Sequence, residues 1–350
     1  MSFRAWLSIV TFLLIAVIVY LARNELLHAW QLLGRVNVWV LLLLIPGQIL
    51  VYYAGGEMIF SYLRAKKSIE NVPPLVLARL SLEMNFVNHI LPSGGVSGVS
   101  YMNWRLGKYG VSTGRATMAQ VVRFAMGFVA FMTLLALAVL VVTVDGNINR
   151  WIILMSSVLV FLMVLAIVSG MYLFSSETRM TAFGNWLTRW VNGVARRVTF
   201  GRKQTLLQHA SVDLFFADMH RDYVALRQDK KILLKPYLWG LLFTLADVSL
   251  FLIAFWALGS PVNPAPILIA YGVATIAGFF VITPGGAGAY EAIMVAFLAV
   301  AGLGQGVAIA GIVLTRVILL LGTIVFGYLF YQHAIIKYGK NDGYTLPKRQ

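Results

Sequence analysis

The stretch Thr283-Pro284-Gly285-Gly286-Ala287-Gly288-Ala289-Tyr290-Glu291 lies between two apolar runs, residues 265–282 and 292–301. Proline and clustered glycines end helices, so the backbone cannot continue through this stretch as one rod. Inside a membrane, broken backbone is tolerated only where protein or a water-filled cavity covers it. Glu291 then sets a carboxyl just inside the following helix. A second stretch, Leu91-Pro92-Ser93-Gly94-Gly95-Val96-Ser97-Gly98, has the same character. Both read as tips of re-entrant helical hairpins, with the working site between them.

Composition fixes the solvent. The 350 residues are 60% hydrophobic and only 12% charged. Soluble domains are nearer half apolar and a quarter charged, so this is an all-α polytopic membrane protein. The net charge of +15 lies mostly in loops flanking apolar runs, where it orients the chain. It is not read as a nucleic-acid surface. The absence of cysteine excludes disulfides, thiolate metal sites and cysteine nucleophiles. Residues 6–22 are apolar after Arg4, and no small-residue cleavage site follows in Tyr20-Leu21-Ala22-Arg23-Asn24. They read as a retained first span.

Six full spans are expected: 6–22, 38–60, 113–144, 152–174, 235–258 and one within 302–336. Basic residues mark the cytoplasmic loops. Arg64, Lys66 and Lys67 form one such loop, and residues 175–235 hold eleven Lys or Arg against five Asp or Glu. The inner membrane is the expected location, with both termini cytoplasmic. Between these two loops the chain must cross an even number of times. Spans 113–144 and 152–174 supply two crossings, so segment 75–112 enters and leaves on one side. Its first arm, 75–91, is about 25 Å long as a helix, short of a bilayer core. It carries Arg79, Glu83, Asn85, Asn88 and His89 on more than one face, which a lipid-facing helix does not. Segment 265–302 reads as a second hairpin from the opposite side, although two full spans would satisfy the same charge parity.

The chain is therefore expected to form one membrane domain, 1–350. Its first half is 36–144, followed by linker span 152–174 and a cytoplasmic amphipathic segment, 175–235. The second half is 236–336. Each half reads span, hairpin, span, in opposite orientation, the pattern of inverted repeats in secondary transporters. Charges repeat with it. Arg123 follows Pro92 by 31 residues and Arg316 follows Pro284 by 32. Glu57 precedes Pro92 by 35 and Asp247 precedes Pro284 by 37.

The run from Thr283 to Ala292 resembles the Pro-Gly-Gly-x-Gly-x-x-Glu signature of the lysylphosphatidylglycerol synthase/flippase membrane domain family. Pro92-Ser93-Gly94-Gly95 resembles that family's earlier glycine-rich motif, and Arg316 sits where its last arginine falls. The resemblance spans about residues 5–340. Full-length members carry a cytoplasmic aminoacyl-transferase domain after the membrane part. With Gln350 closing this sequence, the resemblance implies lipid handling or translocation rather than lysyl transfer.

The candidate site follows from the physics of charges in spans. Intramembrane arginine is costly without a partner, and guanidinium suits bidentate phosphate contact. Arg123 and Arg316 are therefore candidates for an anionic lipid headgroup; the plainer reading is an ion pair with Glu57, Asp247, Glu83 or Glu291. Gly94, Gly95, Gly285 and Gly286 precede helix starts, where free amides and the dipole favour an anion. Glu291 reads as a proton carrier or arginine partner, or simply as a helix-start acid. Gln120 and Thr117 share a face with Arg123. Glu57, Arg79, Glu83, Asn85, His89, Gln120 and Asp247 are coupling or supporting candidates. Glu83 with Arg79 has a plain i,i+4 pairing as its alternative. His89 has no second ligand at metal spacing, so no metal and no cofactor are expected.

The leading function is a translocase for an anionic or polyprenyl-type lipid headgroup, working as a secondary transporter rather than an enzyme. No Walker motif is present. A membrane-embedded headgroup or glycosyl transferase is the alternative, against which stand short loops 145–151 and 259–264 and the lack of an Asp-x-Asp pair. An ion or solute symporter is a further alternative. The expected partners are membrane lipids, and a homo-oligomer is compatible with the sequence.

Overall fold

A computed structural model describes residues 36–91, 95–144, 150–198, 208–280 and 288–338, with isolated positions before residue 36. The expected first span, apart from Tyr20, lies outside the described residues, as do tip residues 92–94 and 281–287 and the tail beyond 338. Three candidate site glycines, Gly94, Gly285 and Gly286, fall in those tips. Every described element is helical.

The first half opens with α1 (Val38–Leu41), capped by Asn37, whose side-chain oxygen accepts from the amides of Trp39 and Val40. Next comes α2 (Leu44–Ala65). Pro46 has no N–H to offer the Leu42 carbonyl, so the chain breaks between α1 and α2. Together they make one apolar stretch, Val38–Ala65, long enough to cross a bilayer. Then come α3 (Pro74–Ile90, 17 residues), α4 (Val96–Gly107, 12 residues) and α5 (Thr113–Val144, 32 residues). The long apolar α6 (Arg150–Phe174) leads to two amphipathic helices, α7 (Glu177–Val198) and α8 (His209–Gln228). A 3-10 turn, Lys230–Leu233, starts the second half. It continues as α9 (Leu234–Ala257), α10 (Pro264–Phe280, 17 residues), α11 (Ala289–Val300, 12 residues) and α12 (Gln305–Tyr338, 34 residues).

Five described helical stretches are long and apolar enough to cross a membrane: Val38–Ala65, Thr113–Val141, Ile153–Phe174, Lys230–Ala257 and Gln305–Tyr338. The intervening pairs α3–α4 and α10–α11 are shorter. At 1.5 Å per residue, their longer arms reach about 25 Å and their shorter arms about 18 Å, below a ~30 Å hydrocarbon core.

Packing interleaves the halves. The first helices, α2 and α9, pack on each other along their lengths, while α3 packs on α12 and α10 on α5. Small residues permit the close approach. A Cβ on Gly272 of α10 would meet the Phe131 ring of α5 at 2.2 Å, and one on Gly327 of α12 would meet Phe86 of α3 at 2.5 Å. Each half's short pair is thus seated against the last helix of the other half.

Candidate functional site

Each short pair carries a carboxylate-centred network, and the two networks differ. In the first, Glu83 of α3 is fully buried. Its Oε2 accepts from Arg105 Nε at 3.0 Å and from the Tyr101 hydroxyl at 2.8 Å, and its Oε1 accepts from Arg79 Nε at 3.2 Å. Arg105, only 2% exposed, is also stacked against Tyr338, 4.2 Å from the ring centroid. This cluster ties the two arms together at the end away from the tip. Nearer the tip, the Gly98 amide donates to Asn88 Oδ1 at 2.8 Å. Gly95 starts α4 from a left-handed conformation, φ 91°.

In the second network, Glu291 is the third residue of α11. Its Oε2 accepts from the Gly288 amide at 2.7 Å, capping the helix, and its Oε1 accepts from Arg316 Nε at 2.7 Å. Arg316 also lies over the Tyr290 ring, 4.5 Å from the centroid. The pair is partly open, with side chains 23% and 20% exposed.

Between these networks lies a set of polar groups from both halves. The Tyr271 hydroxyl of α10 donates to Asp247 Oδ2 of α9 at 2.7 Å. Asp247 is within electrostatic reach of Arg316, Tyr52 and Tyr290. Tyr271 is within electrostatic reach of Arg123. His89, at the end of α3, is in turn within reach of Arg316. The arginine of each half therefore faces the short helix pair of the other.

Arg123 stands apart in its bonding. Its Nη1 donates to the Met84 sulfur at 3.7 Å, and its guanidinium lies beside the Phe124 ring. A Cβ on Gly55 of α2 would lie 3.9 Å from its Nη2. Among the described residues it has no carboxylate within ion-pair distance. Bare glycine backbone, a thioether and aromatic edges surround a full positive charge.

The remaining candidates make their hydrogen bonds and ion pairs outside this centre. Glu57 pairs with Arg64 of its own helix; Arg123 is not its partner. Gln120 donates to Val99 O and to Asn103 Oδ1, both at 3.1 Å, and Asn103 donates to Thr117 at 2.7 Å. Gln120 and Thr117 therefore seat α4 on α5 and do not assist Arg123. Asn85 donates to Ser81 O at 2.8 Å, and His89 Nδ1 bonds the Asn85 carbonyl at 2.8 Å. Those contacts stay within α3. Arg105, Tyr271 and Tyr52 were missed by sequence reasoning, and Asn88 was named only as a polar residue of the first arm. Tyr52 belongs to a polar tie in which Gln48 Nε2 donates to Tyr52 Oη at 2.7 Å, to Leu319 O at 2.7 Å and to Thr323 Oγ1 at 3.1 Å. Gln48 is a polar residue on an otherwise apolar stretch, a signal that could have found it.

Fold and site together define a polytopic α-helical membrane protein whose interior gathers charged and phenolic groups from two matched helical sets. Residues 6–327 match the family described as lysylphosphatidylglycerol synthase TM region, and the chain belongs to that family. It is also 24% identical, over 233 residues, to a UPF0104 membrane protein of Methanothermobacter thermautotrophicus (strain Delta H), across 66% of this chain and 67% of that one. Membership in the family puts the chain among membrane proteins with a lipid-related function.

Proposed function

We propose that this protein translocates a lipid with an anionic headgroup across the inner membrane. It works as a secondary transporter, with its N- and C-termini cytoplasmic. The observation that carries the reading is Arg123, a guanidinium inside a candidate span with no ion pair among the described residues. Leaving such a charge without an anion costs several kcal/mol, and a phosphate between the halves would supply one. Arg316, held by Glu291 and facing the same interior, is the second contact. The lipid chains remain in the bilayer while the headgroup enters between the helices.

The transport route rests on the paired architecture. Short pairs α3–α4 and α10–α11 have matching lengths, and each packs on the last helix of the other half. That arrangement supports an inverted repeat with two re-entrant hairpins, one from each face. Rocking one half against the other around a fixed site would then alternate access.

The test is headgroup translocation in proteoliposomes, after native mass spectrometry has identified the co-purified lipid. Arg123→Ala is expected to lower the rate at least tenfold. Arg123→Lys, which keeps charge but loses the planar fork, is expected to fall between Arg123→Ala and the native protein. Native rates in Arg123→Ala would overturn the assignment.

A further inference from the structure

The interior holds a second group whose bonding is incomplete. Asp247 is a carboxylate inside the span Lys230–Ala257, and it makes no ion pair among the described residues. It accepts a hydrogen bond from the Tyr271 hydroxyl at 2.7 Å. The nearest arginine in its field, Arg316, is already held by Glu291 at 2.7 Å. The other carboxylates on the candidate spans and on the two short helix pairs are each taken: Glu57 by Arg64, Glu83 by Arg79 and Arg105, Glu291 by Arg316. Among the described residues, then, the interior presents one unpaired cation, Arg123, and one unpaired anion, Asp247, in opposite halves. Tyr271 bonds the anion and is within electrostatic reach of the cation.

We propose that Asp247 carries a coupling proton, so that one proton crosses with each anionic headgroup, and that Tyr271 links the two events. This rests on the translocase reading. With Asp247 ionised, the Tyr271 O–H is committed to the carboxylate. A phosphate entering beside Arg123 then meets a second negative charge across the tyrosine, and like charges in a confined site cannot both be accommodated cheaply. A proton taken from water onto Asp247 removes that charge. The neutral carboxyl can donate to the Tyr271 oxygen, which leaves the phenolic proton available to the headgroup. A phosphate monoanion and a proton together add no net charge to the interior. When the headgroup leaves on the far side, the proton leaves with it.

The surroundings of Asp247 fit this role. Tyr52 faces it from α2, Tyr271 from α10, Tyr290 from α11 and Arg316 from α12. From α5, Arg123 reaches it through Tyr271. α1 carries no titratable side chain. Lys230 and Lys231 of the 3-10 turn lie before α9, roughly 25 Å from Asp247 along the helix axis. No carboxylate and no lysine from these elements is among the groups facing it, so its charge state couples mainly to the arginines. By linkage, proton and anion must favour each other's binding equally.

The experiment uses the full chain in phosphatidylcholine vesicles containing fluorescently labelled phosphatidylglycerol as the probe, with an imposed pH gradient. One-for-one coupling sets the leaflet ratio of the probe at about tenfold per pH unit, enriched away from the acidic side. Asp247→Asn is expected to bring that ratio to one and to abolish probe-dependent proton movement followed with an entrapped pH dye. Tyr271→Phe keeps the carboxylate and is expected to weaken accumulation, which covers the case in which Asp247→Asn does not fold. Probe movement by the native protein with no response to the gradient would overturn the coupling and leave the translocase reading standing. Native-like accumulation in Asp247→Asn would also overturn it. If the native protein neither binds nor moves the probe nor its co-purified lipid, both readings fall.

Discussion

Arg316 donates to one oxygen of Glu291 at 2.7 Å while the other oxygen of that carboxylate accepts from the Gly288 amide at 2.7 Å. One side chain thus starts α11 and anchors an arginine of α12. The counterpart in the other half is built differently. There Glu83 spends itself on Arg105, Arg79 and Tyr101 within its own helix pair, which leaves Arg123 without a carboxylate. The halves match in helix order, and the asymmetry lies in where the acid sits.

Glu291→Gln should therefore loosen two helices at once. Breaking a buried ion pair from one side costs about 3–5 kcal/mol. This pair is about a fifth exposed, so a loss near the lower bound is expected. The double variant Glu291→Gln with Arg316→Gln should cost less than the two single changes summed. Thermal unfolding in detergent, read by size-exclusion recovery, measures this cycle; strict additivity would show that the pair does not couple.

The base of α3–α4 should be less forgiving. Glu83→Ala strands Arg105, which is 2% exposed, and should reduce folded yield sharply. Arg79→Ala should be mild, because Arg79 is 28% exposed and Glu83 keeps its other two partners. Expression and detergent stability compared across the two variants would check the order. Equal effects would remove Arg105 as the principal partner.

Much of this arrangement was legible in the sequence. The Pro-Gly breaks and the short arms beside them gave the two short helix pairs. The rest escaped for physical reasons. Arg105 reads as a loop cation beside Lys108, because its acid lies 22 residues earlier in sequence. Tyr271 sits in an apolar run and shows no signal until α10 is laid against α9. Gln120 shares a helical face with Arg123, yet helix spacing alone could not say that Asn103 of α4 would take it.

Two glycines of the first pair separate conformational from steric effects. Gly95 has φ 91°, and a Cβ there would meet nothing within 4 Å. Gly95→Ala should cost about 1–2 kcal/mol from backbone conformation alone. Gly98 is helical, but a Cβ would come within 2.2 Å of the Asn88 side chain, so Gly98→Ala should also break the Asn88 contact. Adding Asn88→Ala should restore part of the stability lost in Gly98→Ala and none of that lost in Gly95→Ala. Melting curves of the four variants decide this.

The amphipathic α7 should lie on the anionic cytoplasmic face of the bilayer. It starts three residues after α6, a candidate span, ends. One face packs on α8, where a Cβ on Gly184 would meet the Phe216 ring at 2.7 Å. A second face leaves Phe183, Trp186, Trp190 and Val194 exposed, with Phe183 at its edge against the Phe216 ring of α8 and the two indoles stacked 6.5 Å apart. Those positions recur every three or four residues, as an apolar helix face does. Arg189, Arg196 and Arg197 accompany them on the same helix. Aromatic rings backed by arginines fit the headgroup boundary, where each basic residue near the surface contributes about 1 kcal/mol of attraction to anionic lipid. The chain has no cysteine, so Trp186→Cys can carry a single polarity-sensitive dye. Its emission should shift to the blue in vesicles containing phosphatidylglycerol, and less so in pure phosphatidylcholine or after Arg189, Arg196 and Arg197 are all changed to Gln. A dye that reports water in every lipid would show that this face is turned away from the membrane.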